Sequence, residues 1–293
     1  MLVAVASVKG SPGVTTFAVA LAACWPAARR VVVEADAAGG DLAARFGLRP
    51  VPGLVSLAAE VRTASRPDGE LVWRHAQWIG DGVFVVAAPP GAAEAAGALG
   101  AMTPGGLAAL QVCAADPETL IVVDCGRLGP DSPTVSATDA ADALLVLSGA
   151  HADDLAHLPS RLATLGRGCR QRRLLLVGEG YPTAEVEREL GIRVAARIPH
   201  DVHAAAALRG LGSGRGRRSG LVRAAERCAH SLLTRRPDRA GAASEPASPR
   251  PVRRARWRVA RVGPVTGSRG AVVVGNGARD GQGGASHAEE SGP

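Results

Sequence analysis

Residues 1–16 read Met-Leu-Val-Ala-Val-Ala-Ser-Val-Lys-Gly-Ser-Pro-Gly-Val-Thr-Thr, and the fold turns on how this stretch is understood. Leu2 to Val8 is a short, Val-rich apolar run of the kind that forms a buried strand. Lys9-Gly10-Ser11-Pro12-Gly13-Val14-Thr15-Thr16 follows as a glycine-bearing turn that ends in two hydroxyls. Phe17 to Cys24 is rich in alanine and opens a helix. A strand, a glycine loop and a helix in that order present backbone N–H groups and a helix N-terminus to an anion. Thr15 then offers a hydroxyl to a magnesium ion and Thr16 one to a phosphate. Lys9 is the only lysine of the chain, every other cation being Arg or His. A sequence so biased to arginine that keeps one lysine, and keeps it here, points to a need for a compact ammonium. The plain alternative is a Gly-Pro turn with no ligand.

Working outward, further Val and Leu runs recur with helical segments between them. Val31-Val32-Val33 leads to Glu34-Ala35-Asp36, and Val83 to Val86 closes at Pro89-Pro90-Gly91. Thr119 to Val123 ends in the carboxylate of Asp124, and Ala143 to Leu147, Arg172 to Val177 and Val194 to Ile198 complete the series. Continuous apolar strands separated by helices predict an α/β, doubly wound, mostly parallel sheet. Residues 53–76 hold a periodic pattern (Leu54, Leu57, Ala58, Val61) and then a polar break at Arg66-Pro67-Asp68-Gly69, and helices are expected in an Ala-rich stretch after 91 and over about 152–165, 183–190, 202–208 and 221–233. Trp73 and Trp78 flank His75, an arrangement read as packing a small core. Beyond about Pro237 the text turns to Ala, Gly, Ser, Pro and Arg, which lacks the hydrophobicity to order itself. The expected organisation is therefore a domain over 1–236 and a disordered basic tail over 237–293.

Composition narrows the function classes. The formal net charge of +7 is concentrated at the C-terminal end, where over residues 235–293 eleven arginines face five acidic residues. That places any DNA or anionic membrane contact in the Arg-rich tail, Arg250 to Arg261 above all. A merely solvated tail is the alternative. Five cysteines are scattered with no C-x-x-C pair, against a zinc site or a disulfide framework. No apolar run has the length of a membrane span or of a signal segment, so a soluble, cytoplasmic protein is expected.

Ligands of open α/β sheets sit beyond the carboxyl ends of the strands. Three features converge there: the Lys9–Thr16 loop, Asp36 and Asp124. Thr15 and Asp124 would hold magnesium, and Asp36 would orient a water toward a terminal phosphate. Against the strict phosphate-loop pattern, the first glycine position holds Val8 and the lysine position holds Val14. The loop resembles instead that of the ParA/MinD family of deviant Walker A ATPases, which runs K-G-G-x-G-K-[ST]. Lys9, Gly10, Gly13, Thr15 and Thr16 fall in place, with Ser11 at the remaining glycine and Val14 at the phosphate-gripping lysine. The resemblance spans roughly residues 1–210. It makes Lys9 the signature lysine that reaches a partner's nucleotide, Glu34-Ala35-Asp36 the first switch, and Asp124 the Walker B and second-switch aspartate. The family's D-x-P-A-G reads Asp124-Cys125-Gly126-Arg127 here, and Ile198-Pro199-His200-Asp201 resembles its base-side turn. Pro199 and Asp201 thereby join Gly10, Ser11, Gly13, Val14, Thr15 and Thr16 as nucleotide-binding positions. The asparagine that reads adenine is replaced by Gly178.

Two contacts to ATP are thus missing. A charge-assisted hydrogen bond is worth roughly 1.5–3 kcal/mol, so loss of the lysine alone implies about 10- to 150-fold weaker binding. The resemblance implies a positioning or assembly ATPase with weak ATP and magnesium binding and slow hydrolysis. It would form a nucleotide-dependent homodimer and serve partition of a chromosome or plasmid, or a pilus or secretion apparatus. A partner protein of that apparatus, and a place at the nucleoid or inner membrane surface, go with it. The alternatives are a non-hydrolysing scaffold that keeps fold and interface only, and a dinucleotide-binding domain. The last lacks G-x-G-x-x-G and leaves Asp124 without a role.

Overall fold

The Val- and Leu-rich runs form one sheet. The computed structural model describes residues 1–10, 12–103, 105–208 and 219–234. The chain begins β1 (Leu2–Ser7), α1 (Val14–Cys24), β2 (Arg29–Glu34), α2 (Leu42–Phe46), α3 (Leu54–Thr63) and α4 (Leu71–Arg74). β3 (Gln77–Gly80), β4 (Val83–Val86), α5 (Ala92–Met102), α6 (Gly105–Ala114), β5 (Thr119–Arg127) and α7 (Val135–Ala140) follow. Next come β6 (Ala143–Ala150), α8 (Ala152–Leu155), α9 (Leu158–Leu162) and β7 (Gln171–Gly180). The described part closes with α10 (Thr183–Leu190), β8 (Val194–Ile198), α11 (Val202–Ala207) and α12 (Gly220–Thr234). The tail expected over 237–293, its boundary and Ser11 lie outside the described residues.

The strand order is β3-β4-β2-β5-β1-β6-β7-β8. Every pairing is parallel except β3 with β4. β1 lies between β5 and β6, so its loop leaves the middle of the sheet. The two-residue period of the strands divides the core between two faces. Leu2, Ala4 and Ala6 of β1 join Val31, Val33, Ile121, Val123, Leu144 and Val146 on one face, beneath α3, α5 and α6. Val3 and Val5 join Val32, Leu120, Val122, Leu145 and Leu147 on the other, beneath α1 and α12. Residues 2–7 are all buried, because a central parallel strand is covered on both sides.

Some expectations needed correction. β3 was missed: Gln77–Gly80 is an antiparallel edge strand, and Trp78 on it is 64% exposed rather than part of a small core. Trp73 does pack, edge-on to Phe84 at 5.6 Å between ring centroids and with the Arg29 guanidinium 4.3 Å over its ring. His75 is buried between Ser56 Oγ, 2.8 Å from Nδ1, and Glu60 Oε2, 2.6 Å from Nε2. The Ala-rich helix after residue 91 is two helices, α5 and α6. The helix expected over 152–165 is also two, because Pro159 in the first turn of α9 has no N–H for a preceding turn to bond. Among the described residues no single helix is long and apolar enough to cross a membrane.

Candidate functional site

The loop after β1 turns through Gly10 (φ 68°) and Gly13 (φ 89°), and Gly13 is the N-cap of α1. Among the described residues no side chain caps this helix, and its first turn carries no acidic residue, so no described side chain takes up the N–H groups of Val14, Thr15 and Thr16. The hydroxyl-bearing Thr15 and Thr16 are half-buried. Val14 is 5% exposed and packs in the core beneath α1 with Phe17, Ala18 and Val122. Its side chain therefore has no part in the loop's surface, and only its backbone can meet a ligand.

Asp124 stands at the end of the parallel run of β5, beside Val5 of β1. It is 0% exposed. Its Oδ1 accepts the Gly126 N–H at 3.1 Å, while Oδ2 has no hydrogen bond among the described residues. Burial pushes its pKa from the usual 3.8 up to about 7, and the carboxylates of Glu34 and Asp36 push the same way. The Thr15 hydroxyl and the Gly126 N–H oppose that rise. Thr15 and Asp124, named from the sequence as the magnesium pair, are thus neighbours. A bare oxygen of a buried carboxylate beside a hydroxyl is a donor set suited to a hard divalent cation. Among the described residues no cluster of three or more His, Cys, Asp or Glu side chains gathers to hold a metal by itself. That is the usual condition for magnesium that shares its shell with phosphate oxygens and water.

Asp36 follows β2. The Ala38 N–H bonds its Oδ1 at 2.8 Å, and burial raises its pKa. The carboxylate lies over Gly126, where a Cβ would sit 1.9 Å from Asp36 Oδ2. Gly126 also has φ 56°, so both the close approach and the backbone require glycine. Asp36 and Asp124 are in this way joined across β2 and β5 by a glycine that sequence reading had treated only as a departure from D-x-P-A-G. Glu34, passed over as a ligand, is 1% exposed and accepts three backbone N–H groups: Asp41 at 2.7 Å, Leu42 at 3.0 Å and Ala88 at 2.9 Å. It ties the loop 35–42 to the end of β4. The signal for it was the acidic residue closing a Val-only strand.

Lys9 turns to its own chain, donating to the Asp153 carbonyl at 3.1 Å, with Asp153 Oδ2 3.9 Å away. Pro199 and Asp201 lie in the turn after β8, where Asp201 Oδ2 accepts the Gly220 N–H at 3.1 Å at the start of α12. Gly178 has φ 74°, and a Cβ there would sit 2.4 Å from His200 Nε2. The His200 ring of the base-side turn covers the place where a side chain at 178 would project, and Arg197 holds the Gly178 carbonyl at 2.7 Å. The five cysteines are buried or half-buried, and burial raises the pKa of each. None is poised as a nucleophile.

No protein-family model matches the sequence, and no curated protein does. Solved structures do match. The ParA family ATPase from Chlorobium tepidum TLS aligns with a TM-score of 0.62 at 18% identity, covering 78% of this chain and 98% of that one. The cell division ATPase MinD of Pyrococcus furiosus aligns with a TM-score of 0.61 at 18% identity, over 80% and 98% of the two chains. The septum site-determining protein MinD of Pyrococcus horikoshii OT3, in complex with Mg-ADP, aligns at 0.57 and 16% identity, over 79% and 96%. This chain has the fold of the ParA/MinD ATPases, over nearly the whole length of those proteins.

Proposed function

We propose that the chain is a nucleotide-dependent positioning or assembly ATPase of the ParA/MinD type, with weak Mg-ATP binding and slow turnover. The observation that carries the reading is Asp124: a fully buried carboxylate with a bare Oδ2, set against Thr15 of an uncapped glycine loop. Bound magnesium would neutralise phosphate charge there, held by Thr15 and Asp124. Phosphate would rest on the backbone N–H groups of Gly13, Val14, Thr15 and Thr16, and Asp36 would accept a hydrogen bond from the attacking water. The MinD neighbour bound to Mg-ADP supports nucleotide and magnesium as the ligands. Binding in roughly the micromolar-to-millimolar range follows from the lysine lost at Val14.

In this reading ATP brings two copies face to face, Lys9 leaves Asp153 and reaches the partner's phosphates, and the dimer engages a partition or a pilus or secretion protein. The chain acts from the cytoplasm at the nucleoid or inner membrane surface, with the basic tail over 237–293 contacting DNA or anionic lipid. The scaffold reading has its own observation, the burial of Val14 in the core. Sedimentation with and without Mg-ATP separates the two. A switch shifts from monomer to dimer with Mg-ATP and returns with Mg-ADP. A sedimentation coefficient indifferent to nucleotide contradicts the switch and leaves the scaffold.

A further inference from the structure

The cation missing from position 14 has a candidate replacement on a different element. Arg45 belongs to α2, and its side chain is 19% exposed. One guanidinium nitrogen lies 3.5 Å from the Thr16 hydroxyl of the phosphate loop, and the other is fixed to Asp41 Oδ2 at 2.7 Å. Asp41 is itself anchored, since its backbone N–H donates to the buried Glu34 at 2.7 Å. A chain of contacts from the core thus holds this guanidinium beside the N-terminus of α1. The contact to Thr16 is long for a hydrogen bond, so it leaves donors available to a stronger acceptor. The carboxyls of Glu34, Asp36 and Asp124 act on one another at the strand ends, an acidic surrounding for a polyphosphate, while Lys9 is engaged with Asp153.

We propose that Arg45 is the phosphate-binding cation of this site, supplied from α2 in place of the lysine absent at Val14. The inference rests on the nucleotide reading above. A half-buried guanidinium already braced by a carboxylate loses little freedom when it grips a phosphate oxygen, and its planar fork suits that ligand. Loss of one such charged contact corresponds to about 10- to 150-fold in affinity.

The test is equilibrium dialysis of Mg-ATP and of inorganic pyrophosphate against the full chain, Arg45→Ala, Arg45→Lys and, as a charge-matched control, Arg62→Ala on the exposed end of α3. The expected result is a loss of at least tenfold for both ligands in Arg45→Ala, partial retention in Arg45→Lys and no change in Arg62→Ala. Arg45→Met keeps the aliphatic stem and carries the test if Arg45→Ala does not fold. Should the parent chain saturate with Mg-ATP while Arg45→Ala and Arg45→Met bind as it does, Arg45 is not the cation and the nucleotide reading stands. Equal losses in Arg62→Ala reduce the effect to net charge and overturn the assignment. A parent chain that saturates with neither ligand overturns both inferences together.

Discussion

Asp124 carries an electrostatic burden that its surroundings only partly relieve. Its carboxyl is buried beside Glu34 and Asp36, and its pKa stands at about 7 against an ordinary 3.8. Between those two values the folded chain keeps a proton that the unfolded chain has released, so rising pH favours unfolding. Stability of the nucleotide-free protein in EDTA should therefore fall as pH rises from about 4 to about 7. Asp124→Asn should flatten much of that slope, with Glu34 and Asp36 leaving a remainder, since burial raises both. Urea unfolding across this range checks it, and superimposable pH profiles for parent and variant would count against the assigned burial. Lys9 bears on assembly rather than on stability in the proposed switch. Its 3.1 Å bond to the Asp153 carbonyl is solvent-exposed, and such contacts add little to stability. Lys9→Ala should melt like the parent yet fail to dimerise with Mg-ATP, and Lys9→Arg should fail too, because a planar fork does not replace a point charge in a tight cradle. Sedimentation in which Lys9→Ala dimerises normally would exclude a cross-subunit role.

At the scale of elements, β2 and β5 are locked by the approach of Asp36 to Gly126. Gly126→Ala would strain the backbone at φ 56° and drive a methyl into the Asp36 carboxylate. A loss of about 1–3 kcal/mol in chemical denaturation is expected, together with slower ATP turnover. Unchanged stability would mean the contact is not maintained in solution. The same elements show what sequence could and could not reveal. The strands were legible because a parallel strand covered on both faces must be apolar throughout, and Val31 to Val33 or Leu144 to Leu147 leave no other reading. β3 was not, since Gln77-Trp78-Ile79-Gly80 is short, half polar and paired antiparallel at an edge. The division of the Ala-rich stretch into α5 and α6 was hidden as well, because alanine is equally at home on either side of a break. Among the candidate site residues, Lys9, Thr15, Asp36 and Asp124 are legible from their places at and after the ends of strands. Glu34 and Arg45 are not, because the contacts of Glu34 with Ala88 and of Arg45 with Thr16 join residues far apart in sequence.

For the molecule as a whole, the charge asymmetry predicts where any contact with an anionic partner falls. Six of the seven net positive charges fall in 235–293, so nucleic-acid or lipid contact should belong to that segment alone. Removing 238–293 should preserve the fold and any nucleotide response, and abolish binding to DNA and to anionic vesicles. Binding by the full chain should weaken steeply with salt, as counterion release requires. Equal binding by the shortened chain would place the contact on the folded domain instead.

The glycine loop, Thr15 and Asp124 are proposed to form a working, though weakened, Mg-nucleotide site. Calorimetric titration of the full chain with ATP, with and without magnesium, tests it most directly, alongside Thr15→Ala. Saturable binding in roughly the micromolar-to-millimolar range is expected, dependent on magnesium and lost in Thr15→Ala, with turnover below about one per second. Nanomolar affinity, binding indifferent to magnesium and Thr15, or no saturable heat at all would contradict it.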